Sequence, residues 1–250
     1  ITNTKGDTVR TISDKGKKGI NRVWWNYMGE KSDPIVMRTK PLYADWVSIG
    51  DNRTRNLPSN VSIMQPPGTY SVSIEFDGNI SEKEMVVMKD PHSEGSLEDI
   101  SLQNNLMHKI YDDLNKTARY VNSIESVRRQ LLDLKSILLS TNKGVDLIDE
   151  VNNLESKFLE IEKKLLQLQT TGKGQDAVRY QKMIGEKLTY LAENVQISDF
   201  RPADSYYDVY ELLHNRLEEV GVAYETLVNN DLEEFIKKMN SMDINTIVLK

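Results

Sequence analysis

The chain has no cysteine, which excludes disulfides, thiol nucleophiles and cysteine-held metals. Histidine is scarce, at three residues, so imidazole-based acid–base chemistry has few candidates. No apolar run approaches the roughly 20 residues that a membrane-spanning helix needs, so no membrane span is expected. Phosphate-loop, dinucleotide-fingerprint and nucleophile-elbow patterns are all missing. There is no initiator Met and no signal peptide, and the expectation is a piece cut from a longer chain.

What is present suits a folded protein. Of 250 residues, 38% are hydrophobic and 28% charged, too apolar for a disordered chain. The net charge of −6 is unevenly spread: residues 1–92 carry +2 and residues 93–250 carry −8. An acidic second half argues against nucleic acid as a partner.

The punctuation changes near Pro91. Before it, glycines and prolines are dense and the runs between them favour strands: residues 8–12 alternate, residues 21–27 are rich in β-formers, and Tyr70, Val72, Ile74 and Phe76 fall on one face. Asp77-Gly78-Asn79 is a hairpin turn leading to a return strand at 84–88. The pattern predicts an antiparallel β-sandwich over 1–92, interrupted by a long loop at 29–67 that holds Tyr43 and Trp46. Those two rings have two readings: they anchor the loop on a neighbouring surface, or they form a binding surface for a carbohydrate or peptide.

After Pro91 the period becomes helical. Ser96, followed by Glu98 and Asp99, is a helix start. Apolar stripes then predict helices over 96–142, 145–170, 175–196 and 204–241, each with one face to bury. Short connections between long helices favour antiparallel neighbours, so 93–250 reads as an up-down-up-down four-helix bundle. The fold class expected is α+β in two domains, 1–92 and 93–250.

Candidate chemistry is thin. Glu211 and His214 form a Glu-x-x-His of the kind that supplies ligands in carboxylate-bridged di-metal bundles, but those sites need a second such motif. Neither His92 nor His108 completes one, so His214 reads as a surface histidine beside Leu213, and no metal or cofactor is expected. His108 and Asp112 are an i, i+4 pair without a nucleophile. The adjacent acids Asp112-Asp113, Glu218-Glu219 and Glu233-Glu234 point about 100° apart on a helix and read as a solvated face.

Three ordered stretches resemble a known module: Gly6-Asp7-Thr8-Val9-Arg10-Thr11-Ile12, Lys18-Gly19-Ile20-Asn21-Arg22-Val23-Trp24-Trp25-Asn26 and Pro66-Pro67-Gly68-Thr69-Tyr70-Ser71-Val72. They are similar to the Ig-like module of flagellar hook-capping type at the C-terminal side of exported bacterial BNR/Asp-box, sortilin-like β-propeller proteins, often labelled glycosyl hydrolases. The resemblance continues through Arg38–Val47 and Val121–Leu131. It implies an Ig-like sandwich lacking a strand before Ile1, an exported location, and an upstream propeller of the same parent as partner, with other exported proteins or glycans as further partners. Asp-box repeats are missing here, so any hydrolase site of such a parent lies outside this chain. The resulting expectation is a non-catalytic accessory region. The alternative is a binding module using Tyr43 and Trp46.

Overall fold

The structure is a computed structural model that describes residues 1–40, 42, 58, 60–141, 145–169 and 175–242. The chain is mixed α+β and mostly helical, and among the described residues its strands form two small antiparallel sheets. It divides into two compact units. The first is Ile1–Ser32, Asn60–Asp112 and Leu191–Asp208; the second is Asp33–Ser59, Asp113–Tyr190 and Val209–Lys250. Each unit takes residues from both sides of Pro91.

In the first unit, β1 (Met28–Lys31) pairs with β2 (Ser62–Met64), and β3 (Gly68–Phe76) pairs with β4 (Asn79–Val87). The β3–β4 hairpin has the expected turn: Asp77 and Gly78 both take positive φ, 51° and 76°, as a two-residue hairpin loop requires. Tyr70 is buried at the base of the expected apolar face, with Trp25 edge-on at 5.5 Å and its hydroxyl donated to the Pro66 carbonyl at 2.6 Å. Ile74 and Phe76, further along that face, are exposed. Residues 8–12 and 21–27 are not strands; Thr8 makes an isolated bridge to Thr2. Their hydrogen bonds go elsewhere. The Val9 carbonyl accepts from the Glu30 amide, and the Thr11 amide donates to the Glu30 carboxylate at 2.6 Å. The amides of Val9 and Arg10 both donate to the Ile1 carbonyl, and only at Thr11 does a side chain take the place of a ladder partner.

Helix α1 (Leu97–Thr141) starts where the sequence says. Ser96 Oγ accepts from the Asp99 amide at 3.0 Å, and Asp99 Oδ2 accepts from the Ser96 amide at 3.0 Å. This reciprocal cap satisfies two groups the helix leaves open and holds the Asp99 carboxyl below its ordinary pKa. Gly95 precedes it because a Cβ there would overlap the Asp199 carbonyl.

In the second unit α1 packs with α2 (Ile148–Leu165) and with the helical run α5 (Asp204–Thr226), a π-helical turn (Leu227–Leu232) and α6 (Glu233–Ser241). The expected stripes are buried, among them Val121, Ile124, Val127 and Leu131 on α1, Val151, Leu154 and Phe158 on α2, and Leu213, Leu217, Val220, Phe235 and Met239 on the last run. Two expectations fail. The helix expected over 175–196 is broken into α3 (Asp176–Arg179) and α4 (Ile184–Val195). Glu186 starts α4 afresh, accepting from the amides of Met183 and Gln167 at 3.0 and 2.9 Å. The alternating order also fails. Asp113 meets His214 and Ser123 meets Tyr224, pairs with the same sequence offset, so α1 and α5 run parallel. Lys157–Asp231 and Lys238–Glu150 make α2 antiparallel to the last run. The antiparallel rule depends on short connections, and residues 166–183 between α2 and α4 are too many to impose it.

Candidate binding groove

The groove lies in the second unit and begins with an extended strap, residues 33–39, laid along α1. Nothing in the strap is helical or ladder-paired over 33–36, so its backbone polar groups need side chains. Helix α1 supplies them. Asn115 Oδ1 accepts from the Asp33 amide at 2.8 Å. Asn122 accepts from the Val36 amide at 2.7 Å and donates to the Pro34 carbonyl at 2.9 Å. Glu125 accepts from the amides of Arg38 and Thr39 and from the Thr39 hydroxyl. Positions 115, 122 and 125 share one helix face, at spacings of seven and three, and Met37 is fully buried under the strap.

Beneath the strap lies a largely buried charged cluster. Arg128, 3% exposed, places Nη1 2.6 Å from Glu162 and 3.1 Å from Glu125, and Nη2 2.8 Å from Glu155. Glu125 and Glu162 are fully buried. One guanidinium cannot balance two fully buried carboxylates and a third, Glu155, that is partly exposed, and the imbalance is relieved by protonation. Burial, and then the charge of Glu125, push Glu162 up to about 8 against the pull of Arg128. Among the described residues Glu162 Oε1 has no hydrogen-bond partner. Around Arg128 the surrounding carboxylates outweigh the opposing effect of burial and raise its pKa.

Above the strap opens a cavity of about 920 Å³. Among the described residues it is lined by Arg38 on the strap, by Arg119 and Arg129 on α1, and by Tyr120, Asn122, Ser123, Ser126, Gln130 and Tyr224. No carboxylate is among those lining residues. Arg119 has no carboxylate partner among the described residues, and Arg129 is paired at its exposed edge with Asp133 at 2.9 Å. The two phenol rings meet at 5.1 Å, tilted by 48°, and Ser123 Oγ lies 2.6 Å from the Tyr224 hydroxyl. Gly221 makes room for Tyr120: a Cβ there would stand 2.6 Å from the phenolic oxygen.

A second polar cluster borders the same two helices. His214 Nδ1 lies 2.9 Å from Asp113 Oδ2 and 3.3 Å from the Tyr210 hydroxyl. Asp113 is nearly buried, and burial raises its carboxyl above its ordinary value while the His214 bond pulls the other way. Lys116 closes the group on Glu218 at 2.5 Å, lowering the Glu218 carboxyl.

The residues singled out in the sequence fare differently. Tyr43 and Trp46 lie outside the described residues. His214 is half-buried and bonded to Asp113. Glu211 is exposed. His92, His108 and Asp112 are exposed. Among the described residues no group of three or more His, Asp or Glu is arranged to hold a metal, and no helix is long and apolar enough to cross a membrane. The strap, the Arg128 cluster and the arginine groove were not read from the sequence. No family model, curated protein or solved structure matches the chain.

Proposed function

We propose that this chain is a non-catalytic interaction region of a larger exported protein, of the BNR/Asp-box, sortilin-like propeller kind that its sequence resembles. In this reading the strand-rich residues belong to an Ig-like sandwich module and the helical residues to a long-helix bundle of four helices. The bundle serves as a spacer or assembly element beside the propeller. The observation that carries the reading is the strap. Six hydrogen bonds from Asn115, Asn122 and Glu125 fix an extended segment on a rigid helix, and this arrangement presents a surface of fixed shape. The ionisable groups with the most perturbed environment, Glu162 and Arg128, are spent on each other below that surface and are closed to solvent. The test is turnover. The purified chain, incubated with a panel of glycosides and peptides, is expected to release no product; hydrolysis of either class by the homogeneous protein contradicts the reading.

A further inference from the structure

The arginine groove has a charge pattern opposite to that of the chain around it. The second half of the sequence is acidic, yet Arg38, Arg119 and Arg129 line one cavity to which no carboxylate among the described residues contributes. Arg129 has one acid, Asp133, at its exposed edge, and among the described residues Arg38 and Arg119 have none; like charges sharing one groove repel unless an acid joins them. Among the described residues each guanidinium keeps donors to spare. Arg38 uses Nη1 on the Val36 carbonyl at 3.1 Å, and Arg129 uses Nε on Asp133. The remaining N–H groups form the planar fork that fits a carboxylate with two parallel bonds.

We propose that the groove is a docking site for an acidic, extended peptide segment of a partner protein, its Asp and Glu carboxylates held by Arg38, Arg119 and Arg129. This deepens, and rests on, the reading of the chain as an interaction region. Two observations favour a peptide over an acidic sugar. First, α1 already holds an extended chain beside the groove, using Asn and Glu side chains on backbone amides and carbonyls. Ser126 and Gln130 continue the polar face one turn on, and Arg119 to Arg129 spans about 15 Å of helix axis, the length of four to five extended residues. Second, the aromatic rings offer no stacking platform. The Tyr224 ring is buried, and Tyr120 leans on Gly221 with the Lys116 ammonium 5.9 Å from its centroid.

The test is fluorescence anisotropy with three labelled probes at low and physiological salt: a ten-residue Glu/Ser peptide, its Lys/Ser counterpart, and a sulfated hexasaccharide. The protein is used as the full chain, as Arg119→Glu/Arg129→Glu, and as the milder Arg119→Gln/Arg129→Gln. Both positions are exposed, and unchanged circular dichroism and melting confirm that each variant is folded. The expected result is binding of the acidic peptide alone, weakened at least tenfold by the charge reversal, by less in the Gln pair, and strongly by salt. The proposal is overturned by acidic-peptide binding that neither variant alters, by equal binding of the basic peptide, by preference for the sulfated sugar, or by no binding to the wild type. These outcomes are separate from the turnover assay, so the groove can fail while the non-catalytic reading stands.

Discussion

Helix α1 uses arginine in two opposite ways within two adjacent residues. Arg128 points inward, is almost solvent-free and is surrounded by three carboxylates. Arg129 points outward, is paired with one exposed acid and lines a cationic groove. The residue type is the same and so is the formal charge; desolvation makes the difference. Inside, loss of the one guanidinium leaves its carboxylates uncompensated. Outside, water supplies the compensation and the side chain is free to serve a ligand.

That contrast can be broken most forcefully at Arg128. Arg128→Ala is expected to destabilise the protein by about 3–5 kcal/mol, the usual consequence of removing one partner from a buried ionic cluster, read as a fall in urea midpoint. A loss below about 1 kcal/mol would show that the cluster is solvated. Next comes Glu125→Ala, which removes the acceptor for two strap amides and the Thr39 hydroxyl. About 2–4 kcal/mol is expected, with new proteolytic cleavage near residues 36–40.

The pH dependence sharpens the same contrast. The native pKa of Glu162, about 8, lies above its ordinary 4.5. Its contribution to stability is therefore complete below about 4.5 and is lost as pH rises towards about 8. Across that interval the wild type is expected to lose on the order of a few kcal/mol from this group, and Glu162→Gln is expected to flatten the profile. An identical profile in the variant would place the titration elsewhere. A smaller effect is expected at Gly221→Ala, where the new methyl meets Tyr120: about 1–3 kcal/mol from overpacking, with a change in tyrosine fluorescence. Smallest of all are Arg119→Ala and Arg129→Ala, each within about 0.5 kcal/mol of wild type in urea melts.

Much of the helical architecture was legible because apolar periodicity and caps are local signals. Ser96 and Asp99 start α1 where expected, the stripes along α1, α2 and α5 are the buried ones, and Asp77-Gly78 makes the hairpin turn. What escaped depended on distant partners. The fresh start of α4 needs Glu186 to cap Met183 and Gln167, and residues 8–12 read as a strand until their amides go to the Ile1 carbonyl and the Glu30 carboxylate. The parallel course of α1 and α5 has no signature in either helix alone. One signal was available and unread. Glu125 and Arg128 interrupt the apolar stripe between Val121 and Leu131, and Glu162 adjoins Ile161 in another. Charged residues on faces that must be buried announce an ionic cluster. The groove had no comparable signal, since Arg38 lies more than 80 residues from Arg119 and Arg129.

The central claim, that this chain is part of a larger exported protein, is tested most directly by the intact mass of the protein in its source cells, with peptide mapping of the sequence on either side of these residues. The account predicts a species far heavier than 28.7 kDa, with Asp-box repeats before Ile1. A native species of about that mass would contradict it.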